Sequence, residues 1–175
     1  MKTKLRLLTI LLLLNSWLIG FSRDSQNLSQ NEANKLSEKA EQNFEEKNYI
    51  DALDKFTQLY SSNPTDIYYK LMMGICLTYD PAQKQRSIEI IEQVKITNPE
   101  YNLCNFYLAK AYAVNNKFDT AINLFNLFLK KSKAEEVEQR DIAKKMIRNC
   151  YNAKKILADT IAQYNVENIQ YPINS

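Results

Sequence analysis

The sequence predicts an all-α protein made of stacked helix pairs, and three observations carry that prediction. Only two glycines and four prolines occur in 175 residues, so the chain has few turns and few helix breakers, which suits long helices and not a β-sandwich or barrel. Asn63-Pro64 and Asn98-Pro99 punctuate the chain 35 residues apart, each reading as a helix end followed by a new start. Between these marks the pattern of small and large residues repeats at the same period. Gly20 lies near the N-terminus and Gly74 stands alone, so no glycine-rich phosphate loop can be built.

The N-terminal residues read as a targeting segment. Lys2, Lys4 and Arg6 precede an apolar run from Leu7 to Ile19 that only Thr9, Asn15 and Ser16 interrupt, the make-up of a secretory signal. Gly20 and Ser22 suit cleavage after Ser22, which would make residues 1–22 a signal peptide; retention as an uncleaved anchor is the other reading. This segment holds three of the 23 basic residues and none of the 20 acidic ones. The remainder of the chain is therefore balanced in charge, which removes the electrostatic case for nucleic acid. Residues 23–32 read as a polar linker and 33–160 as the helical domain.

Within that domain, Ala40, Gly74 and Ala109 recur at intervals of 34 and 35 on the first helix of each pair. Ala52, Ser87 and Ala121 recur early in the second helix. Phe56, Ile91 and Phe125 follow one turn later, then Leu59, Val94 and Phe128. Where two helices cross closely only a small side chain fits, and larger residues one turn on fill the space between units. Tyr49 and Phe118 stand three residues before Ala52 and Ala121. These positions resemble the tetratricopeptide repeat (TPR), a helix-turn-helix unit of 34 residues. The match is fullest in the third unit, with Leu108, Ala109, Tyr112, Phe118, Ala121, Phe125 and Phe128. The first unit departs at Lys39, where a large apolar residue is usual. The second carries about one extra residue after Tyr79-Asp80-Pro81, and Ser87 in place of alanine. The resemblance implies a short right-handed TPR solenoid of three helix pairs.

Glu136 to Asp159 reads as a further helix, with Ile142, Met146, Cys150 and Ala153 as one apolar stripe, closing the last face of the solenoid. From Tyr164 the residues favour extended structure and Pro172 opposes helix, so 161–175 reads as an extended tail, a junction from which a second domain would continue. The leader, the degenerate repeats, the stretch Ile147-Arg148-Asn149-Cys150-Tyr151-Asn152-Ala153-Lys154 and the ending Ile173-Asn174-Ser175 resemble the amino-terminal part of Bacteroidetes envelope proteins. In that family a TPR module precedes a β-propeller and an OmpA-like domain, and some members are implicated in type IX secretion and gliding. Phe21 stands where lipoprotein members carry cysteine, and no residues here carry over peptidoglycan binding.

Chemistry is poorly provided for. The chain has no histidine, which removes the usual general base and most zinc arrangements. Carboxylates such as Glu45-Glu46 and Glu135-Glu136 are adjacent in sequence and point apart on a helix. Cys76, Cys104 and Cys150 match no metal spacing; they read either as buried apolar residues or as one bridge, Cys76 with Cys104, plus a free thiol. The sequence thus predicts neither enzymatic activity nor a cofactor or metal. Stacked pairs instead offer a concave surface lined by the first helices. Asn34, Ser37, Glu41 and Phe44, then Tyr68, Leu71, Ile75 and Thr78, then Leu103, Phe106, Lys110 and Ala113 fall at the inward positions. Among them Glu41, Tyr68, Thr78, Phe106 and Lys110 are the candidate protein-binding residues, with Tyr68 and Phe106 as aromatic anchors or, on the plainer reading, inter-repeat core. The expected role is an exported, non-catalytic adaptor in the periplasm that holds another protein or a peptide segment in a cell-envelope assembly, type IX secretion included. Outer-membrane association would be indirect or through the leader. The alternative is a structural spacer with an empty groove.

Overall fold

The computed structural model describes residues 28–169, and side chains as far as residue 161; the segment expected to be a signal, residues 1–22, falls outside the described residues. Among the described residues seven helices succeed one another: α1 (Gln30–Glu45), α2 (Tyr49–Ser62), α3 (Ile67–Thr78), α4 (Lys84–Thr97), α5 (Leu103–Val114), α6 (Phe118–Lys131) and α7 (Val137–Ile169). Each packs on the next, and α3 also meets α5 while α5 meets α7. The first helices of successive units therefore lie side by side, as a short TPR solenoid requires.

The small-residue positions are where the two helices of a pair meet. Ala40, Ala52, Ser87, Ala109 and Ala121 are fully buried, as are Phe56, Ile91, Phe125, Val94 and Phe128. A Cβ placed on Gly74 would stand 2.6 Å from Cγ1 of Ile91 and 3.2 Å from Cγ2 of Ile90. In the second unit, then, even an alanine methyl exceeds the space between α3 and α4. Ser87 takes the alanine position without an unpaired hydroxyl, because its Oγ donates to the Lys84 carbonyl at 2.7 Å.

The turns inside the pairs explain the irregular second unit. Lys47 and Asn116 occupy equivalent places and both have positive φ, 63° and 59°. There the chain reverses in three residues, and the N–H groups of Asn48 and Lys117 donate back to the carbonyls of Asn43 and Tyr112 at 2.8 and 3.0 Å, a left-handed helix cap. Proline cannot take that conformation. After α3, accordingly, the chain runs through Tyr79-Asp80-Pro81-Ala82-Gln83 before α4 begins, and the Asp80 carboxylate accepts from the Ala82 N–H at 2.9 Å.

Three expectations about boundaries are corrected. The linker does not reach residue 32: Ser29 and Glu32 form a reciprocal capping box, with Ser29 N–H donating to the Glu32 carboxylate at 3.0 Å and Glu32 N–H to Ser29 Oγ at 3.4 Å. This Ser-x-x-Glu signature starts α1 at Gln30. The extended tail does not begin at 161, since α7 stays helical to Ile169; a helix already nucleated propagates through Gln163, Glu167 and their neighbours, and Pro172 acts only close to itself. Residues 170–175 fall outside the described residues. Thirdly, the expected stripe of α7 holds except at its first member: Cys150 is buried and Met146 packs against the core, whereas Ile142 is exposed and Ala143 is fully buried beside it. Ala143 lies 34 residues after Ala109, so α7, the helix that closes the solenoid, continues the small-residue period of the first helices. Its start is tied to the end of α6 by Arg140, whose guanidinium donates to the Leu129 carbonyl at 3.2 Å and to the Ser132 hydroxyl.

The three cysteines are free and buried, and burial pushes the thiols of Cys76 and Cys104 up to about 12 and about 11. A thiol-specific reagent at neutral pH should therefore leave the native protein unlabelled and label three sites after denaturation; fast labelling of the folded chain would contradict this packing. For Gly74→Ala, the helix-propensity gain of about 1 kcal/mol opposes an overpacking cost of about 1–3 kcal/mol. The expected outcome is a net loss of about 1 kcal/mol in urea unfolding.

Candidate functional site

The first helices of the three units and the closing helix α7 converge on one concave space of about 640 Å³. From α1 come Glu41, Phe44 and Glu45; from α3, Tyr68, Leu71, Met72 and Ile75; from α5 and the turn before it, Tyr101, Leu103 and Tyr107; from α7, Glu138 and Gln139. Local sequence explains the two aromatic walls. Asp66 caps α3, accepting from the N–H groups of Tyr68 and Tyr69 at 2.9 and 3.4 Å, which sets the first turn of α3 with Tyr68 toward the groove. Tyr68 then rests edge-on against Phe56, ring centroids 6.3 Å apart. Tyr101 closes the turn after Asn98-Pro99, its N–H donating to the Asn98 carbonyl at 3.1 Å.

Of the five candidate residues, two line this space. Tyr68 is 39% exposed, and its hydroxyl donates to the Glu41 carboxylate at 3.3 Å, linking the first unit to the second. Burial, then the Glu41 charge and hydrogen bond, push the Tyr68 hydroxyl up to about 12. The other three are elsewhere. Phe106 is 3% exposed and packs against Phe125 and Phe128 at 5.9 and 5.2 Å between centroids, so it is core between the two helices of the third unit, and its neighbour Tyr107 takes the groove position. Thr78 is buried, its hydroxyl donating to the Gly74 carbonyl at 3.1 Å. Lys110 is committed: its ammonium donates to the Tyr79 hydroxyl at 2.8 Å and lies 5.4, 5.7 and 5.8 Å from the rings of Tyr79, Phe106 and Tyr107. Tyr79 in turn stacks on Tyr49 at 3.9 Å. Lys110 thus joins aromatic residues of three units, and burial lowers its pKa.

Sequence reasoning missed Glu45, Met72, Tyr101, Tyr107, Glu138 and Gln139. One helical residue is a rotation of about 100°, so the exchange of Phe106 for Tyr107 is a small error of phase. The signal that would have corrected it is the hydroxyl, because a tyrosine is better placed than a phenylalanine where one end meets water. Glu138 and Gln139 escape the sequence reading because only the first helices of the three pairs are expected to line the groove, although Ala143 continues the period.

Chemically the space offers apolar and tyrosine surface with carboxylates at its edge. Among the described residues no group of three side chains could hold a metal, and burial holds the thiols protonated. A second depression, of about 480 Å³, lies between Phe118 and the Lys154–Ile161 part of α7. Only two segments form it, and it marks the uncovered side of α7 rather than a convergence of units.

No protein-family pattern matches the chain, and no curated protein does. Solved structures do share its fold. PcrH from Pseudomonas aeruginosa superposes with a TM-score of 0.62 at 14% identity, over 74% of this chain and 98% of that one. PcrH in complex with the chaperone-binding region of PopD gives 0.60 at 16% identity, over 73% and 96%. The Yersinia enterocolitica type III secretion chaperone SycD, in complex with a peptide of the translocator YopD, gives 0.60 at 18% identity, over 72% and 97%. At such identities the likeness establishes the TPR fold. It also corrects the narrower resemblance to Bacteroidetes envelope proteins of the type IX secretion and gliding group. The solved structures that share the fold include the type III secretion chaperone SycD, and this chain spans PcrH and SycD almost from end to end.

The raised Tyr68 pKa has a consequence for stability. As pH rises past the ordinary tyrosine value of 10.0 the unfolded chain gives up this proton, while the folded chain keeps it to about 12. The contribution is therefore full below about pH 10 and lost across about pH 10–12. Alkaline unfolding followed by tyrosinate absorbance should show this loss, and Tyr68→Phe should reduce it; an unchanged profile in the variant would assign the loss to other tyrosines.

Proposed function

We propose that this chain is a non-catalytic, peptide-holding adaptor, exported across the inner membrane, that keeps a segment of another protein in its concave groove. The observation that carries the reading is the convergence of four helices on one space of about 640 Å³ lined by tyrosines, aliphatic side chains and carboxylates, within the range of roughly 300–1,000 Å³ usual for ligand sites. Tyrosine-rich walls favour recognition, since such side chains bury much area for few frozen torsions. The fold neighbours support the same reading, because PcrH and SycD have each been solved with a segment of a protein they chaperone. Export rests on the basic residues Lys2, Lys4 and Arg6 ahead of the apolar run from Leu7 to Ile19.

The test is affinity capture from cell envelopes with the full chain, set beside Tyr68→Ala combined with Tyr107→Ala. Phe106 is left alone because its loss would open the core. Circular dichroism checks that the variant is folded. A partner held by the parent should be lost by at least about tenfold in the variant; equal capture by both would move the contact off the groove.

A further inference from the structure

We infer that the segment this groove takes is cationic: an extended stretch whose apolar side chains are accompanied by at least one lysine or arginine. The inference rests on the groove reading and names the chemistry of its occupant. Three carboxylates border the space, Glu41 and Glu45 from α1 and Glu138 from α7, while among the described residues no lysine or arginine lines it. All three are exposed, and the ion pairs among the described residues, Lys144–Asp141 and Lys154–Asp119, involve none of them. Lys110, the cation that sequence placed in the groove, does not balance them, because its ammonium is drawn to the Tyr79 hydroxyl at 2.8 Å.

The carboxylates are also set beside the aromatic walls. Glu41 accepts from both the Tyr68 hydroxyl and the Ser37 hydroxyl at 3.3 Å, and the charge of Glu138 is among the causes that raise the Tyr107 pKa, after burial. A cationic side chain entering the groove would thus meet a carboxylate and the face of a tyrosine ring together, two attractions that add for ammonium and guanidinium groups. An acidic segment would meet the same carboxylates as repulsion. Because the chain beyond residue 22 is balanced in charge, this preference is local to the groove and not a property of overall charge.

The experiment selects short random peptides, displayed on phage, against the full chain, then measures the synthesised consensus peptide on three proteins: the parent, the triple variant Glu41→Gln, Glu45→Gln and Glu138→Gln, and the double variant Tyr68→Ala and Tyr107→Ala. The expected result is a consensus carrying lysine or arginine beside apolar residues, bound at least about fivefold more weakly by the glutamine variant and weakened by added salt. A consensus without basic residues, indifferent to the glutamine changes but lost on the tyrosine changes, would overturn the inference and leave the groove reading standing. Peptides bound equally by all three proteins, or no enrichment on the parent, would overturn both.

Discussion

The close approach of the two helices within each unit is the constraint on which the rest of this structure depends. At Gly74 the distance is short enough that a methyl group would collide with Ile91, and at the equivalent places in the other units only alanine is found, fully buried. Because each second helix lies so close to the first, the first helix spends one face on its own partner and its flanks on neighbouring units. One strip is left over. Three such strips, from α1, α3 and α5, together with the start of α7, form the groove, so this concave surface is a by-product of tight pairing rather than a separate feature.

Tight pairing also determines how the turns are made. In the first and third units the reversal takes three residues and needs a left-handed backbone at Lys47 and Asn116. The second unit has Pro81 near that place and uses a longer turn held by the Asp80 carboxylate. That longer turn displays Tyr79, which stacks on Tyr49 and receives the Lys110 ammonium. A departure from the repeat pattern thus produces an aromatic column that ties three units together, and it withdraws from the groove the lysine that sequence placed there. For the same reason no lysine or arginine among the described residues lines the space beside its carboxylates.

The chemistry excluded by composition and the chemistry offered by geometry point the same way. A chain without histidine has no neutral-pH general base of the usual kind, and its cysteines serve as small apolar residues whose thiols are raised by burial. Against that background the tyrosines stand out, since Tyr68, Tyr101 and Tyr107 each turn a ring to the groove. Rings with one wet end suit a surface that is partly apolar and still meets water.

Sequence by itself determined the all-helical class, the pairing of α1 to α6 and the residues at each close crossing, because those come from spacing along one chain: Ala40, Gly74 and Ala109 must recur where helices touch. Tertiary structure alone decided what faces the groove. Tyr107 and not Phe106 is turned inward, Thr78 is buried against its own helix, and Glu138 reaches the space that Glu41 borders from the other end of the solenoid. Those outcomes depend on a helical phase good to one residue and on the curvature that brings α7 round to α1. Periodicity registers neither, because both are set by how whole units stack.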